Sequence, residues 1–158
     1  MYLISSKDFY QQCIAPQRGD PSGSAPLVIE KVSDRLGLRF PAAYLEFLRW
    51  MGNDTAGVLS YANWCLHDLP ANQTFLQVLL EDAGASYQLP ASAVVFYSDH
   101  GCRAAWFDAA APAPDPYCYF MNDDMAEPVA AGAFSGLLLQ ALKDSCTPSL
   151  SLPLANTI

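Results

Sequence analysis

Basic side chains are scarce over most of this sequence: residues 51–158 hold only Arg103 and Lys143 against eleven acids, a local net charge of −9, while residues 1–50 stand at +1. A field of that sign repels phosphate backbones, which argues against direct nucleic-acid binding, and it speeds encounter with a basic protein. Paired cysteines are lacking too. Cys13, Cys65, Cys102, Cys118 and Cys146 are odd in number, widely spread and without a C-x-x-C spacing, so neither a disulfide framework nor a structural zinc site is expected. Long apolar runs are missing. The stretch Gly136–Leu142 is stopped by Lys143 and Asp144, and the first eight residues have no basic region leading into an apolar one. No membrane span or secretory signal is expected, and a cytoplasmic setting with reduced thiols follows.

What is present is apolar residue in quantity. With 52% hydrophobic and 15% charged residues in 158, the chain can fill one core. The expected organisation is a single domain with an N-terminal segment and loop (1–26), a main body (27–144) and a surface tail (145–158). The loop is drawn at 16–26, where Gly, Pro and Ser concentrate. The leucines of the tail, Leu150, Leu152 and Leu154, suit a docked strand or a partner contact.

Periodicity marks the elements. Val28, Ile29, Val32 and Leu36 recur at helical spacing after Pro26, and Gly37 is suited to end that helix. Tyr44, Phe47, Leu48 and Met51 form the buried stripe of a second helix that stops at Gly52. Short strands are expected at Val58-Leu59 and Tyr61–Leu66, then a third helix from Pro70 with Phe75, Leu76, Leu79 and Leu80 inward. Beyond it the period changes to that of strands: Ala93–Tyr97, Ala104–Phe107 and Tyr117–Phe120 should form an antiparallel meander, its first turn at Ser98-Asp99-His100-Gly101. A helix over Ala133–Leu142 follows. The fold class is α/β (α+β), a mainly antiparallel sheet flanked by helices.

Chemistry-bearing clusters are few. Ser98, Asp99 and His100 have the residue types of a hydrolytic triad, but neighbours in sequence do not converge as a relay, and a turn is the better reading. Asn122-Asp123-Asp124 with Glu127 lacks the glycine and spacing of a calcium loop. Cys65, His67 and Asp68 make a nominal ligand cluster short of a closed zinc site. No phosphate-cradling glycine motif occurs. A non-enzyme without cofactor or metal is expected.

The order helix, Leu36-Gly37-Leu38-Arg39-Phe40-Pro41, then Tyr44-Leu45-Glu46-Phe47-Leu48 and Gly52, then Val95-Phe96-Tyr97, Gly101, Trp106-Phe107, Tyr117-Cys118-Tyr119-Phe120 and Phe134-Ser135-Gly136-Leu137-Leu138, resembles the SUKH superfamily. That group of small α/β proteins includes many bacterial immunity proteins and a fungal cell-wall regulator. The resemblance implies an immunity protein that binds a cognate toxin, a nuclease or deaminase, and blocks its substrate surface. On that reading Asp99, Asp108, Asp115, Asp123, Asp124 and Glu127, in or beside strand-end loops, are the charged contacts to a basic toxin, and Tyr61, Trp64 and Tyr97 supply an aromatic anchor. The competing reading is a regulatory or scaffolding module with an endogenous protein partner, open to homodimer formation.

Overall fold

In the computed structural model, residues 1–99 and 101–146 are described. Helix α1 (Ile4–Phe9) runs on through a π-helical stretch, Tyr10–Ile14, into α2 (Ala15–Arg18). Leu3, Tyr10 and Ile14 face inward along it. The loop expected from residue 16 begins only at Gly19, because the helix continues past the π-helical stretch through Pro16 to Arg18. That loop then passes hard against the next helices. Ser24 N–H donates to Leu48 C=O at 2.8 Å, and a Cβ at Gly23 would fall 1.8 Å from Arg49 O, so only glycine fits there.

Helix α3 (Pro26–Leu36) starts at its proline and ends on Gly37 in the left-handed region, φ 64°. Of its expected stripe only Ile29 is buried, while Val28 and Leu36 are 50% and 42% exposed. Helix α4 (Ala42–Met51) is different: Tyr44, Phe47, Leu48 and Met51 are all fully buried. Phe40, in the link, sits edge-on to Tyr44 at 5.3 Å.

The strands expected at 58–59 and 61–66 do not form. Ala56 and Gly57 both take positive φ, 54° and 71°, which turns the chain repeatedly, and the segment closes in a 3-10 turn, Leu66–Asp68. Its one sheet-like contact is an isolated bridge from Asn63 to Ser98. Helix α5 (Leu69–Asp82) follows directly.

The sheet is antiparallel with strand order β1 (Ala93–Asp99), β2 (Arg103–Asp108), β3 (Tyr117–Asn122), β4 (Val129–Ala133). The first three strands match the expected meander. The fourth was not expected, since Val129-Ala130-Ala131-Gly132-Ala133 holds one β-branched residue and a glycine at φ 97°. Helix α6 (Phe134–Cys146) closes the described chain, so Ser145 and Cys146, assigned to the tail, are helical. The remainder of that tail, 147–158 with its three leucines, lies outside the described residues, as does His100.

Each face of the sheet has its own core. Val94, Phe96, Ala105, Phe107 and Cys118 pack with α4, α6 and the N-terminal helices. Tyr44 is at the centre there, with Phe107 at 5.2 Å and Phe134 at 5.4 Å. On the other face Val95, Ala104, Trp106 and Met121 meet Leu76, Leu79 and Leu80 of α5. A bulge between Val95 and Tyr97 places Tyr97 opposite Ala105. Strict alternation would send Tyr97 toward α5; the bulge puts it beside Phe96 in the first core.

Candidate functional site

The hairpin turns divide the predicted acids between two ends of the sheet. The β1–β2 and β3–β4 turns share one end, where Asp123 N–H donates to Cys102 C=O at 2.9 Å. Asp99, Asp123, Asp124 and Glu127 lie at that end. Asp108 and Asp115 lie at the other, beyond strands of six residues, a separation of roughly 17–20 Å. One continuous patch of six carboxylates is therefore not formed.

Most of these acids also have internal partners. Asp99 is 5% exposed and accepts from Tyr97 Oη at 3.3 Å and from the Arg103 guanidinium. Burial pushes the Tyr97 phenol up, Arg103 opposes that and Asp99 adds to it. Asp108 accepts from Ser92 Oγ at 2.5 Å and from Ala110 N–H at 2.9 Å. Asp115 reaches across to the start of α6, taking Ser135 N–H at 3.1 Å and Ser135 Oγ at 2.6 Å. It thereby satisfies a first-turn donor and sets a negative charge at the positive end of the helix dipole. Glu127 holds Ser86 N–H at 2.6 Å and Tyr87 N–H at 3.1 Å, and those bonds hold its carboxyl below the usual range. Asp123 and Asp124 are exposed in the β3–β4 turn. Asn122 Oδ1 shapes that turn by accepting Asp124 N–H at 3.1 Å.

The three predicted aromatics converge. Tyr61, Trp64 and Tyr97 line one open cavity of about 570 Å³ bordered by the 57–64 loop, the sheet and α6. Tyr61 is 39% exposed, whereas Trp64 and Tyr97 are 4% and 8% exposed. Trp64 is as much a core residue as a wall: its ring lies 5.2 Å from Tyr97 and 5.6 Å from Phe96. The loop carrying it is fixed by Asn72, whose Nδ2 donates to Asn63 C=O and to Val95 C=O, both at 3.1 Å. Trp64 Nε1 is buried without a hydrogen-bond partner among the described residues, a state that costs about 1–3 kcal/mol unless an acceptor is supplied.

Two arginines complete the cavity, Arg18 from α2 and Arg103 from β2, with Gln140 and Asp144 from α6. Sequence reasoning missed all four. Arg18 stood in a stretch read as loop, and no local spacing relates it to Arg103. Asp144 is engaged by Gln140 Nε2 at 2.7 Å. Tyr61 has its phenol raised by burial first and by Asp144 next.

The other clusters have structural occupations. Ser98 Oγ donates to Asn72 Oδ1 at 2.6 Å and accepts from Asn63 Nδ2 at 3.2 Å, tying β1 to α5. The donor atoms of Cys65, His67 and Asp68 come within 4.8 Å of one another. Within that group Asp68 Oδ2 accepts Cys65 N–H at 2.9 Å, closing the 3-10 turn. Burial, then Asp68 and Asp54, raise the Cys65 thiol to about 11, so it stays protonated near neutral pH. Among the described residues no helix is long and apolar enough to cross a membrane.

No curated protein matches the chain. A family model, that of the SMI1 / KNR4 family (SUKH-1), matches residues 25–138. The match opens just before α3, takes in α4, α5 and the whole sheet, and ends within α6, leaving Arg18, Gln140 and Asp144 outside it. Covering well over half of the sequence, it establishes that this chain belongs to the SMI1 / KNR4 family (SUKH-1).

Proposed function

We propose that the protein is an immunity protein, acting in the cytoplasm, that binds a basic toxin of the nuclease or deaminase kind and covers the surface the toxin uses for its substrate. Membership of the SUKH-1 family supports the general role. The observation that carries the particular reading is the turn end of the sheet. The Asp123 and Asp124 carboxylates are exposed there, and Tyr61, at the cavity with Arg103 of the adjoining β1–β2 hairpin, presents a part-exposed ring. A nuclease needs cationic groups to hold phosphates, and exposed carboxylates beside a part-buried aromatic pair with such groups and anchor the contact. Asp99, Trp64 and Tyr97 support this end from inside. Asp108 and Asp115, at the far end, belong to folding rather than to this contact.

Co-expression tests the reading. Toxin domains of the nuclease and deaminase kinds are produced in cells with and without the protein, and growth is followed. Restored growth with the wild type, lost with a Tyr61→Ala, Asp123→Lys, Asp124→Lys variant that remains folded, is the expected result. Failure of the wild type both to restore growth and to bind any of the purified toxin domains would overturn it.

A further inference from the structure

We infer that the cavity between α6, the β1–β2 hairpin and the 57–64 loop is a binding site for an organic anion: a carboxylate carried on a flat apolar body. The inference goes beyond toxin binding and does not rest on it. The cavity's volume, about 570 Å³, is that of a small-molecule site, and its make-up follows the usual pattern of apolar walls with a few convergent polar groups. Phe96, Phe120 and Leu137 supply the walls. The half-exposed ring of Tyr61 adds an aromatic surface at the opening.

The sign of the guest follows from counting donors against acceptors. Arg18 and Arg103, two of the chain's eight basic residues, both stand on this one cavity of a protein with net charge −8. Arg103 spends only part of its five-donor guanidinium on Asp99. The indole N–H of Trp64 is fully buried, so this side chain reports on the cavity wall and is not a donor to the guest. Against the arginines stand two acids: Asp99, which is not on the cavity wall, pairs with Arg103 and Tyr97, and Asp144, on the wall, keeps its charge while accepting from the neutral Gln140 amide. The two arginines together still offer more N–H donors than these acids take up, and a guanidinium fork matches a carboxylate in shape as well as charge.

Heteronuclear NMR on the full chain tests the site. Trp50, Trp64 and Trp106 give three indole N–H signals, and Trp64→Phe identifies the one at the cavity. Titration with 3-phenylpropionate should move that signal saturably, and the neutral 3-phenylpropanamide should bind roughly fivefold or more weakly. Arg18→Met, which leaves the Asp99–Arg103 pair intact, and Arg103→Met should each narrow that preference, with unmoved Trp50 and Trp106 signals reporting an intact fold. No shift at Trp64, equal affinity for the acid and the amide, or a preference unchanged in both arginine variants overturns the inference. Excess toxin domain then separates the sources of the anion: competitive loss of phenylpropionate means a partner's side chain occupies the cavity, and a ternary complex means a free small molecule does. A chain that binds phenylpropionate but no toxin removes the immunity reading and leaves this one standing.

Discussion

At one end of the sheet, Asp108 and Asp115 are both wired into the fold; at the other, Asp99 and Glu127 are wired while Asp123 and Asp124 are exposed to solvent. Both ends carry acids, yet the exposed pair Asp123 and Asp124 stands at only one of them. What separates them is the supply of donors. The far end faces the start of α6, whose unsatisfied N–H groups attract an acid, while Asp123 and Asp124 stand exposed in the β3–β4 turn. A count of acids thus describes net charge, and each carboxylate's nearest donor decides whether it serves stability or recognition.

The largest test of that contrast is Asp99→Ala. It removes a buried charge-assisted bond to Arg103 and strands the Tyr97 hydroxyl, and urea denaturation should show a loss of about 2 kcal/mol. Asp115→Ala should come next, at about 1 kcal/mol, the usual effect of losing a helix-start acceptor; an unchanged midpoint would mean that α6 is held by packing alone. Glu127→Gln sharpens the comparison through pH. Because the folded carboxyl is depressed, its stabilisation is present above the unfolded value of 4.5 and is lost as pH falls through the lower folded value. The wild type should therefore lose stability on acidification more steeply than the variant, measured by thermal melts between neutral and strongly acid pH. Asp123→Lys with Asp124→Lys should move stability least, by under about 0.5 kcal/mol, while weakening toxin binding and its salt dependence in titration calorimetry. A large stability loss there would erase the distinction between the ends.

The elements that read clearly from sequence are those with a strong local period. The α4 stripe of Tyr44, Phe47, Leu48 and Met51 is fully buried, and the three bulky strands pair in the expected order. The α3 stripe failed in part because a periodic face is buried only if another element lies against it, and Val28 and Leu36 have too little cover. Residues 58–66 misled because Val, Leu, Tyr and Trp have strand propensity wherever they stand, and here the positive-φ pair Ala56 and Gly57 turns the chain before pairing begins. The fourth strand hid behind alanine and glycine, whose propensity is poor and whose pairing with β3 supplies the order. Among site residues, the three aromatics were visible as bulky side chains near turns. Arg18, Arg103, Gln140 and Asp144 were not, having no shared spacing.

By itself the sequence determined the class of the molecule: an acidic α/β domain whose helical stripes and alternating strands dictate where water is excluded, since burial of a local pattern depends on residues a few positions apart. Tertiary structure alone decided which acids are exposed and that residues 18, 61, 64, 97, 103 and 140 surround one cavity. Those groups meet only because a bulge turns Tyr97 inward and α6 crosses the sheet, and contacts between distant segments leave no period in the chain that makes them.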